Sequence, residues 1–349
     1  MVEAARQAHD RAQNFSNERA MQPTNVLDPD DSSYEELLSL WADLESGLTV
    51  ILGTPLNIHE FEKKVWQYDR WMQALLLQDT DTALYLLFQL ATTSSAGYSA
   101  SHALVCAVLC HITARELQLP AAERDSLVHA AMTMNIAMTE MQDQLAEQPG
   151  KPTPTQQALV HDHADRGRSL LIQLGVADPV WLDVVAAHHH DLGRPGELHL
   201  LRPVDRLAHV LRMIDRYAAM ISPRKSRKGR SVTDSLRLVL SGPDGQRDEV
   251  GHALVRAVGL CPPGTFVRLE SRETAVVLRR SEKANHPLVA ILLDSHGHAF
   301  GQPRLHRTAT SPPRILAALS HAQAPMQLNH HTMVQLGLYA ARQTRDAVA

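Results

Sequence analysis

The sequence predicts a mainly α protein: a helical bundle preceded by a helical N-terminal module and followed by a small β-containing C-terminal segment. Three observations carry this expectation. Apolar residues recur at helical spacing from Ser33 to Ile221 without sustained alternation. Turn residues interrupt that run at Gly150 to Pro154, Val176 to Pro179 and Gly193 to Gly196. Val, Leu and Thr concentrate only later, in CPPGTFVRLESRETAVVLRR and LVAILLD, where turn residues separate short stretches of strand character.

Residues 1–32 are rich in Asn, Gln, Asp and Ala without an apolar period, and are expected to form a flexible arm. The N-terminal module spans 33–95, where Leu37, Leu38, Leu40 and Trp41, then Phe61, Val65, Trp66 and Trp71, then Leu84, Leu86, Leu87 and Leu90 fit successive amphipathic helices. Residues 96–300 form the main domain, ending in the short strands. Residues 301–349 read as a Pro-containing linker, near Pro303 to Pro313, and one or two final helices.

Composition excludes several classes. An apolar fraction of 44% suits a chain that buries a core. A net charge of -4 with both signs interspersed offers no broad cationic field, so neither a nucleic-acid polymer nor an anionic membrane is an expected partner. One basic run stands out, PRKSRKGR at 223–230. Three cysteines make no disulfide framework, and Cys106 and Cys110, one helical turn apart in an apolar stripe, are expected to pack as reduced thiols. No stretch approaches the ~18 apolar residues of a membrane span and no leader pattern opens the chain, so a cytoplasmic location is expected.

The histidines carry the chemistry. His102 falls with Val105, Leu109 and Ile112 on the inward face of a helix, and the next helix runs Leu127, Ala130, Ala131, Met134, Met138, Met141 and Leu145 along one face. His163 lies on the stripe of Leu159 and Leu170, and His188 and His189 follow Trp181 and Val185 at seven and four residues. Asp215 sits among Leu207, Leu211, Ile214 and Ile221. One inward histidine is ordinarily a core residue with its hydrogen bonds met. Imidazoles and a carboxylate converging from several helices are how a bundle builds a metal site for phosphate-ester hydrolysis.

The order of His102, the pair Met134 and Asn135, His163, a double histidine at 188–190 and Asp215 resembles the HD-GYP family of bacterial c-di-GMP hydrolases. AAMTMNIAM stands where an AALLHDIGK-type stretch would be, HADRGRSLL where HPxxGxxLL would be, and MIDRYAAMIS and CPPGTFVRLE match the segments that follow. The resemblance covers roughly residues 95–300 and implies an HD-type helical bundle. It also implies that His102, His163, His188, His189 and Asp215 are metal ligands, and that Arg224 and Arg227 bind substrate phosphate.

The departures set the functional expectation. By the resemblance, Met134 replaces a metal-binding His, Asn135 the Asp shared between metals, and Met138 a Lys facing the scissile phosphate. A neutral thioether and an amide cannot supply the bridging charge, so a dinuclear centre is not expected; the cofactor expectation is no metal or a single divalent ion on His163, His188 and His189. DLGRPGEL lacks the family's Gly-Tyr-Pro triplet, and Tyr98 is not the carboxylate that some members use for a further metal. Without metal, Asp215 is expected to pair with His102. Three readings follow: a catalytically degenerate signalling protein that binds c-di-GMP, another nucleotide or a protein partner; a one-metal phosphodiesterase; or a structural interaction module that uses its terminal helices to dimerise.

Overall fold

The computed structural model describes residues 32–93, 97–190, 197–222, 224–226, 229–240, 248–283, 285–320, 323–324 and 326–346. The expected N-terminal arm, most of the DLGRPGEL loop and Arg227 lie outside the described residues.

Local sequence sets many of the element boundaries. Helices α1 (Ser32–Gly53), α2 (Phe61–Gln78) and α3 (Thr80–Thr93) occupy the predicted N-terminal module. Next come α4 (Tyr98–Glu116), α5 (Ala121–Thr133), α6 (Thr139–Glu147), α7 (Pro154–Gln173), α8 (Pro179–Ala187) and α9 (Pro203–Ile221). Two of the turn signals act as helix starts. Thr153 and Gln156 form a reciprocal capping box ahead of Pro154, and the Asp178 carboxylate accepts from the Val180 and Trp181 amides ahead of Pro179. Helices α10 (Val232–Leu240) and α11 (Glu249–Val258) complete the bundle, the latter capped by Asp248.

A single buried cluster runs from Leu37 and Trp71 through Leu104 and Leu211 to Leu254, so the N-terminal helices and the main bundle share one core. The strongly apolar α4 lies at its centre, buried along most of its length. One predicted helix is broken. The segment from Leu127 to Leu145 ends its first helix at Thr133, passes through a 3-10 turn at Ile136–Met138 and restarts as α6. Asn135 adopts φ -104°, ψ 10° at the break, in keeping with its preference for helix ends and turns. Met134 is 1% exposed, as its stripe predicts, whereas Met138 is only half-buried at the restart. Trp66, placed by its spacing on an inward face, is exposed.

The C-terminal segment holds more strand than expected. Strands β1 (Phe266–Leu269), β2 (Thr274–Arg279) and β3 (Leu288–Leu293) lie in the predicted region, but β4 (Ala299–Arg307) and β5 (Ile315–Leu319) occupy the stretch read as a linker. All neighbours pair antiparallel in the order β4-β3-β2-β1-β5. Alternation divides the sheet: Val276, Leu278, Ala290 and Leu292 pack with Tyr85 and with Met333 and Val334 of α12 (His330–Asp346), while Ala275, Val277, Val289 and Ile291 line the other face. Gly264 joins sheet to bundle at φ +91°, where a Cβ would lie 2.9 Å from the Tyr85 carbonyl oxygen. No described helix is long and apolar enough to cross a membrane.

Because Met134 is enclosed, Met134→Ala is expected to destabilise the protein by ~2 to 4 kcal/mol, the cost of a buried cavity. Urea denaturation measures it, and a loss under about half a kcal/mol would place this side chain at the surface.

Candidate metal centre

Helices α4 and α9 bring the first group together. His102, on the second turn of α4, is 3% exposed, and its Nε2 lies 2.8 Å from Asp215 Oδ1 of α9. Asp215 is held there because Leu207, Leu211, Ile214 and Ile221, on and beside its own face of α9, are seated in the core. Cys106, one turn further along α4, places Sγ 3.6 Å from His102 Nε2. One turn earlier, the Tyr98 ring stacks on His102, with centroids 5.4 Å apart and planes 11° from parallel. Arg224 lies over the other side of this column: its guanidinium carbon is 4.9 Å from the Tyr98 centroid, and Nη2 donates to Tyr98 Oη at 2.9 Å.

Helices α7 and α8 supply the second group. His163 and His188 are fully buried, and each directs Nδ1 at the carbonyl three residues earlier, at 2.6 Å for Val160 and 2.7 Å for Val185. A carbonyl only accepts, so Nδ1 carries the proton and Nε2 keeps a lone pair in each neutral ring. These two Nε2 atoms are 3.3 Å apart. Two facing lone pairs repel unless a cation lies between them. Burial, the largest influence, and then the neighbouring His189 push the His188 imidazole down to about 3, so a proton is a poor candidate for that cation near neutrality. His189 is exposed, with its ring centroid 4.0 Å from that of His188 and 4.9 Å from that of His163, which places the third donor on the solvent side. One ligand atom from each histidine falls within 4.8 Å of the others. The trio fits a single zinc-like ion with an open coordination position.

Asp215 connects the two groups electrostatically. Burial opposes its ionisation, but the His102 hydrogen bond and charge, followed by the fields of His188 and His189, hold its carboxyl at about 2. The segment Met134 to Met138 reads Met-Asn-Ile-Ala-Met and contributes no carboxylate or imidazole to either group.

The structure thus collects all five histidine and aspartate candidates into two donor sets, with Arg224 beside the first. Sequence reasoning assigned Cys106 to packing alone. Its position four residues after His102 was the available signal, since i and i+4 share a helix face. The reasoning also passed over Asp69 and His129, a buried pair at 3.1 Å that opens on a cavity of about 440 Å³ beside Trp66.

No protein-family profile matches the chain. Over 204 residues it is 31% identical to a protein of Pseudomonas aeruginosa named cyclic di-GMP phosphodiesterase PA4108, an alignment covering 57% of this chain and 48% of that protein. The chain therefore spans about half the length of that relative. Among solved structures it is similar to Bd1817, an HDG"Y"P protein from Bdellovibrio bacteriovorus, with TM-score 0.48 and 13% identity over 71% of this chain and 76% of the other.

Buried neutral histidines make stability depend on pH. His188 is held at about 3 and His111 at about 4, both mainly by burial, against an ordinary value of 6.5. Between these values the unfolded chain binds protons that the folded chain refuses, so stability rises with pH through the window from about 4 to 6.5 and is lost on acidification. At pH 5 each such histidine is expected to cost ~2 kcal/mol relative to pH 7.5. Urea unfolding at the two pH values measures the loss, and His111→Gln is expected to reduce the pH slope; equal midpoints at pH 5 and 7.5 would refute the assignment.

Proposed function

We propose that the chain is an HD-GYP-like protein across its helical bundle, with a noncatalytic signalling role in which a cyclic dinucleotide or related nucleotide binds over the metal-ligand face without being hydrolysed. One observation carries this reading. The donor residues form two sets, and the family's His, shared Asp and facing Lys are Met134, Asn135 and Met138 here, so no bridging carboxylate holds two ions and a hydroxide together. The nucleotide part of the proposal draws on the Pseudomonas relative, whose name assigns it to cyclic di-GMP.

Arg224 gives that ligand a phosphate contact. Its guanidinium is already fixed on Tyr98 beside the His102–Asp215 pair, and its Nε is buried with no acceptor among the described residues. A buried donor left without an acceptor costs stability, and a phosphate oxygen would satisfy it. Arg227 is proposed to add a second cation from the same run.

A second reading, a one-metal phosphodiesterase, is favoured by the facing Nε2 atoms of His163 and His188. A bound divalent ion would supply an activated water near neutral pH. His163, His188 and His189 would hold it, and Asp215 would add negative charge nearby.

Two outcomes are expected. Protein supplied with manganese, iron or zinc is expected to release no linear dinucleotide or GMP from c-di-GMP; metal-dependent turnover abolished by His188→Ala would instead establish the second reading. In calorimetry with c-di-GMP, cyclic GMP-AMP and GMP, Arg224→Ala and Arg227→Ala are each expected to weaken a dinucleotide complex by about tenfold or more, since a charge-assisted hydrogen bond contributes ~1.5 to 3 kcal/mol. Absence of binding at submillimolar nucleotide, or binding indifferent to both arginines, would leave an interaction module.

A further inference from the structure

We propose that the cavity between α2, α5 and the start of α8 binds a small aliphatic amine, taken up as its ammonium ion. The inference does not rest on nucleotide binding, because no residue lining this cavity belongs to the two donor sets.

Helical spacing builds the cavity. Trp66, Asp69 and Arg70 stand at i, i+3 and i+4 on α2, and Asp125 and His129 stand at i and i+4 on α5, so each set shares one helix face. Asp178, at the start of α8, lines the same space of about 440 Å³. His129 gives the site its character. It is 5% exposed, and its ring is gripped between Trp66 and Trp181, with centroids 6.3 Å and 5.1 Å away. Its Nε2 donates to Asp69 Oδ2 at 3.1 Å, so Nδ1 of the neutral ring keeps a lone pair. This Nδ1 has no partner among the described residues, and it is not sealed in as the unpartnered Nδ1 atoms of His102 and His111 are.

An open acceptor in an acidic cavity calls for a cationic donor. Asp125, one turn before His129, also has no hydrogen bond or ion pair among the described residues. The other acids are engaged: Glu123 pairs with Arg206 at 2.6 Å, and Asp178 accepts from the α8 amides and the Ser126 hydroxyl. An ammonium carries three N–H donors and no acceptor, which suits one bond to His129 Nδ1 and another to Asp125. Trp66, 50% exposed, offers its ring to the cation, while Ala122 and Val180 offer apolar wall to a carbon chain. Burial and then the Asp69 charge raise the Asp125 carboxyl above its ordinary value, and a bound cation would offset that repulsion. A metal ion fits less well, since the donor groups within 4.8 Å of one another among the described residues lie elsewhere. Arg70, exposed on the same cavity, opposes any cation.

Calorimetry with 1,4-diaminobutane tests this on variants of exposed residues, whose folding a urea midpoint checks. Submillimolar binding is expected. Asp125→Asn is expected to weaken it about tenfold and Trp66→Ala about two- to fivefold, the effects of a charge-assisted hydrogen bond and of a cation–π contact. Arg70→Ala is expected to strengthen it, and Glu140→Gln, which removes an exposed acid outside the cavity, to leave it unchanged. Butylammonium is expected to compete with the diamine, and butyltrimethylammonium, with the same charge and chain but no N–H donor, to compete at least several-fold less well. Absence of saturable binding at millimolar diamine, binding indifferent to both Asp125→Asn and Trp66→Ala, or equal competition by the two ammonium ions would overturn the proposal. Displacement of the diamine by an equal concentration of magnesium would also overturn it, by giving the cavity to a metal ion.

Discussion

A carboxylate set against the apolar core of a bundle, with its side chain only 21% exposed, has to be compensated, and the placement of the site follows from how Asp215 meets that requirement. Its helix is held by Leu207, Leu211 and Ile214, so the side chain cannot swing away without unseating α9. His102 takes one oxygen at 2.8 Å. Removing one partner from such a pair costs ~3 to 5 kcal/mol, because an uncompensated charge remains. Asp215 thereby fixes the relation of α4 to α9. Tyr98 stacks on His102, and the Arg224 guanidinium lies over the Tyr98 ring. The Met134 and Asn135 side chains carry no charge and place no such demand on their surroundings.

Much of the fold was legible because one physical signal, apolar periodicity, dominates the helical part. The α7 and α8 starts were also legible, since Thr153, Pro154, Asp178 and Pro179 have local roles that need no tertiary contact. The missed strands have a different cause. β4 and β5 are the two edges of the sheet, and their residues are mostly exposed or half-buried, so neither shows the apolar concentration of the central strands. Pro303 within β4 further obscured it; proline in a sheet is confined largely to edge strands such as this one. The break after Thr133 was hidden by methionines that continue the helical stripe on both sides of it.

The candidate site was legible to the level of which residues face inward, and no further. His102, His163 and His188 are buried as their stripes require. The Nδ1 contacts to Val160 and Val185 depend on the backbone path and side-chain rotamers, which spacing does not specify. Yet these contacts decide which nitrogen is free for a metal. Cys106 is a buried, free thiol, as its apolar helix position implies, and its approach to His102 depends on rotamers that spacing does not specify.

The division into two donor sets also bears on why binding and hydrolysis would part company. In a bridged centre the same positive charge attracts the phosphate and activates the water, so affinity and chemistry rise together. Here the Arg224 guanidinium is hydrogen-bonded to Tyr98, the residue stacked on His102. It can donate to phosphate oxygens, but it generates no nucleophile, and contacts made equally in ground state and transition state do not lower the barrier. The nucleotide would then meet a guanidinium on a rigid aromatic platform, an arrangement that favours holding the ligand over converting it.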